Sequence, residues 1–202
     1  MKKKILALAV IAMLTSVIAS GTLAYYTAEE RAHNVITSGG VGIELVEKTK
    51  DANGAEVDFP KEEISNVMPG TSVSKIVKVK NNGSADAWIR VGVEASIKDA
   101  NGEELPLNVG DSNEPVMVYE ILDGWYQGDD GYYYFENSVA VNEFTEILFK
   151  EVCFNSAMGN EYQNCTANII ISAQAVQSDN NGTTVMEAKG WPVTDNEEGG
   201  EP

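Results

Sequence analysis

Ile89-Arg90-Val91-Gly92-Val93-Glu94-Ala95-Ser96-Ile97 sets the fold class. Its apolar residues fall on odd positions, and its polar or small residues on even ones. That period of two marks a strand with one dry face and one wet face. A second run, Ala167, Ile169, Ile171, Ala173 and Ala175, alternates in the same way, interrupted by Ile170 and Val176. Val41, Ile43 and Leu45 alternate with Gly42 and Glu44, and Val73–Lys80, Val116–Leu122 and Phe144–Phe154 are further β-rich runs. In Phe144–Phe154 apolar residues fall on both faces, as in a central strand or one covered on both sides. No long segment sustains a period of 3.6.

Turn chemistry punctuates these runs. Asp51-Ala52-Asn53-Gly54 and Asp99-Ala100-Asn101-Gly102 are the same tetrapeptide, and Asn-Gly favours the positive φ of tight hairpins. Met68-Pro69-Gly70 and Asn81-Asn82-Gly83 are further breaks. Gln127-Gly128-Asp129-Asp130-Gly131 joins Trp125-Tyr126 to Tyr132-Tyr133-Tyr134-Phe135 as an aromatic hairpin. Seven to nine short strands of this kind predict an all-β antiparallel sandwich or jelly roll. The one helical signal is Thr27-Ala28-Glu29-Glu30, a capping-box spacing that predicts a short N-terminal helical turn ending before Val35.

The organisation outside the strands is equally legible. Met1-Lys2-Lys3-Lys4, an apolar stretch from Ile5 to Ile18, and the small residues Ala19–Ala24 follow the order of a secretory signal peptide. Residues 1–24 are therefore read as a leader cut between Ala24 and Tyr25, with a retained membrane anchor as the competing reading. Residues 25–48 form an N-terminal segment and first strand, 49–192 a jelly-roll domain, and 193–202 a disordered acidic tail. Trp191-Pro192, just before that tail, is expected to dock on the domain, because an isolated tryptophan gains little from exposure.

Composition narrows the function. The 202 residues carry 14 basic and 31 acidic side chains, net −17. Removing the three leader lysines leaves 11 against 31, net −20. Such a chain lacks the cations that neutralise phosphates, so nucleic acid is not an expected partner. The single histidine, His33, and two cysteines fall one ligand short of a structural zinc site. A Ser/His/Asp or Cys/His catalyst would need His33 as its base. Neither His-Glu-x-x-His nor Gly-x-Ser-x-Gly occurs, so no catalytic residue is assigned. The Asp-Ala-Asn-Gly loops echo fragments of calcium loops but lack the closing bidentate Glu. They are read as hairpin turns, with weak surface Ca²⁺ as the lesser alternative and no cofactor or metal site assigned. Cys153 and Cys165 lie on or beside predicted strands. In an exported chain they can form a disulfide worth about 3 kcal/mol, or remain buried thiols.

Three stretches resemble the TasA/camelysin family of secreted matrix proteins of Gram-positive bacteria: Met1-Lys2-Lys3-Lys4, Gly21-Thr22-Leu23-Ala24-Tyr25-Tyr26-Thr27, and Asn34-Val35-Ile36-Thr37-Ser38-Gly39-Gly40-Val41-Gly42-Ile43-Glu44-Leu45. Met68-Pro69-Gly70 with the strand that follows, and Ala173-Gln174-Ala175-Val176-Gln177, are also similar. The match is good over the first 45 residues and patchy beyond. The resemblance implies a leader cut by a dedicated signal peptidase of the endoplasmic-reticulum type, membrane contact only before that cut, and a jelly-roll subunit of extracellular matrix or cell-surface fibres. It implies self-assembly, with a minor matrix subunit as a further partner. Assembly would donate the segment Tyr25–Val41 to a neighbour's sheet edge, with Tyr25, Tyr26, Val35, Ile36 and Val41 as its contact residues.

Two other readings accompany this one. A monomeric secreted or wall-associated module would bind polysaccharide or protein, using Trp125, Tyr126, Tyr132, Tyr133 and Tyr134 as a stacking platform. A camelysin-type secreted protease is the other, and no ligand set in this sequence supports it.

Overall fold

The computed structural model describes residues 34–37, 41–60, 64–65 and 67–192. The expected leader, Ala24, Tyr25, Tyr26, the helical turn at Thr27–Glu30, His33 and the tail 193–202 lie outside the described residues. Among the described residues the chain forms β1 (Asn34–Thr37), β2 (Ile43–Lys50), β3 (Glu56–Asp58), β4 (Ile64–Ser65), β5 (Ser72–Asn81), β6 (Ala87–Lys98), β7 (Met117–Val118), β8 (Trp125–Gln127), β9 (Tyr133–Phe135), β10 (Phe149–Phe154) and β11 (Thr166–Gln177). Two 3-10 turns, Asn160–Tyr162 and Val185–Glu187, complete the regular structure.

The strands make a two-layer all-β sandwich. The first sheet runs β1-β11-β6-β9-β8, with β4 also on β11; the second runs β3-β2-β5-β10-β7. Every pair is antiparallel except β1 with β11, which is parallel. β6 and β11 are the two runs of strict alternation, and they pair along their full length from Thr166↔Lys98 to Gln177↔Ala87. Their inward residues Ile89, Val91, Ala167, Ile171 and Ala173 meet Leu45, Val77, Val79, Phe149 and Val152 of the second sheet in one core. Each such side chain, fully buried, contributes about 1.5–3 kcal/mol when it is a large aliphatic or aromatic one.

Two β-rich runs are shorter as strands than their composition suggests. In Val116–Leu122 only Met117–Val118 is strand, and Tyr119 turns its ring onto Phe149 at 5.0 Å. In Phe144–Phe154 the ladder begins at Phe149. Upstream, Thr145 N–H reaches Val79 O and Leu148 N–H reaches Val77 O, three residues set against two. That mismatch interrupts regular pairing as a bulge does. β10 itself lies between β5 and β7, so it is a central strand, but Lys150 and Glu151 are exposed and its outer face is not covered.

The twin tetrapeptides form twin turns. Asp51 Oδ1 accepts the N–H groups of Asn53 and Ala55 at 2.8 Å each, with Gly54 at φ 81°. Asp99 Oδ1 accepts those of Asn101 and Glu103 at 2.8 and 2.9 Å, with Gly102 at φ 84°. In each turn Oδ1 is thus spent on the backbone, as the hairpin reading requires, while Asp99 Oδ2 accepts from Asn101 Nδ2 at 3.1 Å. These backbone donors hold both carboxyls below the usual range, chiefly Ala55 for Asp51 and Glu103 for Asp99. Their lowered folded pKa means that the stability they add is complete above the unfolded value and is lost as pH falls through the folded one. Acid titration below about pH 4 should therefore lower the melting temperature of the native protein more steeply than that of the Asp51→Asn/Asp99→Asn double variant. Parallel curves would show that the two turns add no pH-dependent stability.

Candidate functional site

The free edge of β11 is closed by short pieces of chain. β4 pairs antiparallel with its first residues, Thr166↔Ser65 and Ala167↔Ile64. β1 pairs parallel with its second half, from Asn34↔Ser172 to Thr37↔Ala175. Ile169-Ile170-Ile171 lies between the two contacts. Ile169 and Ile171 point into the core, whereas Ile170 is 39% exposed. β1 brings Val35 and Ile36 to the register of Ala173 and Gln174. Among the described residues it occupies the outermost position of its sheet and pairs only with β11. The edge is thus covered by four residues of the segment that precedes the sandwich.

Past this edge the chain crosses to the second sheet and is pinned at once. Val41 is buried in the core at 4% exposure. Gly42 O accepts the N–H of Asn82 at 3.0 Å. Gly42 and Gly83 pass so closely that a Cβ on Gly83 would stand 2.5 Å from Gly42 N. Asn81, fully buried, supports the crossing from below: its Nδ2 donates to Ala85 O and Val139 O, and its Oδ1 accepts from Gly83 N. β2 then carries the chain across residue 48 without a break.

The outer face of the first sheet carries a second constellation, centred on Arg90. This is one of the chain's two arginines, and its side chain is 8% exposed. Register places it beside Gln174 on β11 and Tyr134 on β9. Arg90 Nε donates to Gln174 Oε1 at 2.8 Å, and Nη1 donates to Asp130 Oδ2 at 2.9 Å and to Tyr134 Oη at 3.0 Å. Tyr134 Oη in turn donates to Asp130 Oδ2 at 2.6 Å. The guanidinium lies over the rings of both Tyr132, at 4.0 Å, and Trp191, at 4.8 Å. Burial, with the Asp130 hydrogen bond behind it, pushes the Tyr134 phenol up.

Trp191 docks here, edge-on to Tyr134 at 5.8 Å. The segment leading to it is clamped by Asn181, whose Nδ2 donates to Gln177 O and Lys189 O and whose Oδ1 accepts from Lys189 N. Trp88 Nε1 donates to Asn181 O at 3.0 Å. Nothing in local sequence pattern signals the Arg90 cluster. An arginine at an even position of β6 reads as a solvated residue until the register of β9 and β11 is known.

The proposed aromatic platform is divided between two environments. Trp125 and Phe135 face the core, their rings 5.2 Å apart, and Tyr133 packs against the same core. Tyr126, Tyr132 and Tyr134 face outward and form the second hydrophobic cluster with Trp88, Val176, Val185 and Ala188. Tyr126 stacks on Tyr134 at 6.0 Å. These rings are engaged with one another and with the segment ending at Trp191.

Cys153 is half-buried on β10 and Cys165 is buried before β11; both are free thiols here. Burial raises both above the usual thiol range, which disfavours the reactive thiolate. Among the described residues no group of three or more His, Cys, Asp or Glu side chains could hold a metal ion. Among them no helix is long and apolar enough to cross a membrane. No family model, curated protein or solved structure matches the chain.

Proposed function

We propose that this chain is a secreted structural subunit of the TasA/camelysin type, and not an enzyme. It assembles into extracellular matrix or cell-surface fibres by donating its N-terminal segment to the sheet edge of the next copy, with a minor matrix subunit as a further partner. Jelly-roll connectivity, leader removal at Ala24/Tyr25 and export belong to the same proposal. The observation that supports it is β1: a four-residue parallel strand at the margin of an otherwise antiparallel sandwich, contributed by the segment that the family resemblance designates as donor.

The physics favours exchange. An open strand edge presents unpaired N–H and C=O groups and is a template for another chain. A parallel pair is slightly weaker per residue than an antiparallel one. The same β11 groups that β1 satisfies can be satisfied by the equivalent strand of a neighbour, with register intact. Such a contact is head-to-tail, so it propagates and does not close. The crossing at Gly42 and Gly83 gives the donated segment a fixed point of departure.

The test compares the mature chain beginning at Tyr25 with one beginning at Gly40, by electron microscopy and size-exclusion chromatography. Filaments from the first and folded monomers from the second are expected. Filaments from the chain lacking residues 25–39, or monomers from both, would overturn strand donation. A surface-binding module is the outcome to pursue in the second case. Its stacking platform, however, would have to be assembled from rings that are packed against each other here.

A further inference from the structure

The chain is strongly acidic, yet its cations are concentrated. Of the 11 basic residues after the leader, six lie on the adjacent strands β2, β5 and β10, beside the acids Glu44, Glu47 and Glu151. These three strands are net +3 in a mature chain of net −20. Two of the lysines are spent internally: Lys48 pairs with Asp58, and Lys75 with Glu47 under the ring of Phe59. Among the described residues Lys78, Lys80 and Lys150, like Lys50, pair with no carboxylate.

Alternation puts these three on the outer face of the second sheet. Val77, Val79 and Phe149 point into the core, so Lys78, Lys80 and Lys150 point away from it. Lys78 and Lys80 hold their ammonium groups 4.5 and 5.6 Å from the centroid of Phe144, a ring 44% exposed. Glu44, opposite Lys80 on β2, is the acid in register with this ridge. The ridge thus combines three cations with an exposed aromatic surface.

We propose that this lysine ridge is a docking surface for the acidic segment 193–202 of a second copy of the chain. That segment, Val193-Thr194-Asp195-Asn196-Glu197-Glu198-Gly199-Gly200-Glu201-Pro202, carries four acids and no base. It follows Trp191-Pro192, and Trp191 is docked on Arg90 and Tyr134 on the outer face of the first sheet. The acidic segment therefore departs from one broad face of the sandwich, and the lysines occupy the opposite one. Ten residues reach at most ~35 Å when fully extended. A path from Trp191 around a sheet edge to the ridge of the same molecule takes about 35–45 Å, given about 4.8 Å between strands and about 10 Å between sheets plus side chains. An intramolecular contact would use the whole reach, whereas a copy stacked face to face needs little of it. Opposite faces meeting in this way form a heterologous contact, which adds copies laterally without using the N-terminal segment.

Zero-length carbodiimide cross-linking tests this on the whole mature chain, because it joins only a lysine and a carboxylate already in contact. Isotope-labelled and unlabelled protein are mixed, and linked peptides are read by mass spectrometry. Links from Lys78, Lys80 or Lys150 to Asp195, Glu197, Glu198 or Glu201 are expected in mixed-isotope pairs. They should fall about tenfold in about 0.5 M NaCl, where charges are screened within a few ångströms. They should also be lost in Lys78→Glu/Lys80→Glu/Lys150→Glu, with its circular dichroism unchanged. As a second variant, Asp195→Asn/Glu197→Gln/Glu198→Gln/Glu201→Gln alters only residues outside the sandwich and should abolish them equally. Tail links confined to single-isotope pairs, mixed-isotope links from these lysines only to carboxylates outside the tail, or no links to the tail at all would each overturn the proposal. Fibre formation by the mature chain is scored separately by electron microscopy, so failure of this contact is distinguishable from failure of strand donation.

Discussion

Replacing Arg90 by alanine is expected to destabilise the protein by about 3–4 kcal/mol, the lower part of the range for removing one partner of a buried ion pair. Three losses combine. Gln174, fully buried, loses the donor to its Oε1, and an orphaned buried amide costs about 1–3 kcal/mol. Tyr132 and Trp191 lose the guanidinium and stem that they pack against. Asp130 and Tyr134 lose their shared cation. Asp130 is 36% exposed at its side chain, so water compensates much of that last loss. Asp130→Ala should therefore cost only about 1 kcal/mol. Urea unfolding followed by circular dichroism measures both, and tryptophan emission separates local release of Trp191 from global unfolding. Equal effects of the two substitutions would show that the ion pair, and not the buried amide and the ring stacking, carries the stability of this face.

Phe149→Ala should be as damaging, at about 3–5 kcal/mol, the usual range for a buried phenylalanine. The ring is fully buried, opposes Val77 on β5, and packs on Tyr119 at 5.0 Å. It sits where β10 joins a ladder already disturbed at Phe149/Glu151, so little regular backbone pairing is available to compensate. Phe149→Leu keeps most of the volume and should cost less than about 1.5 kcal/mol. For a domain of this size, the alanine variant corresponds to a fall in melting temperature on the order of 10 °C. A fall of only a few degrees would mean that Tyr119 moves in to fill the space.

The extent to which the fold could be read beforehand follows from where water lies. β6 and β11 are legible because their core faces are dry, while their outer faces alternate with polar or small residues. The twin Asp-Ala-Asn-Gly turns are legible because Asp and Gly each have a local role there, independent of distant chain. Trp191 is legible as a docked residue for the same kind of reason: its size makes exposure costly. β1 is not legible, because Asn34-Val35-Ile36-Thr37 is too short to show a period and its partner β11 lies far along the chain. The antiparallel expectation therefore misses this one parallel pair. The length of β7 is also hidden, since Tyr119–Leu122 has strand composition but leaves the ladder to pack on β10. The Arg90 cluster depends on three strands meeting in register, which no single segment encodes. Gly92 is part of that condition: a Cβ there would stand 2.6 Å from Ser172 Oγ and 3.2 Å from the Tyr132 ring that covers Arg90.

The seating of β1 on its own β11 has a kinetic meaning. A strand tethered through a few residues competes for its edge at an effective concentration in the millimolar range. In a chain that assembles by strand exchange, an incoming copy must either offer more pairing than those four residues or arrive where copies are densely packed. The self-seated strand then works as a concentration threshold. If the chain assembles as proposed, dilute subunits would stay single, and the strand would yield only where enough copies accumulate to outcompete the tether.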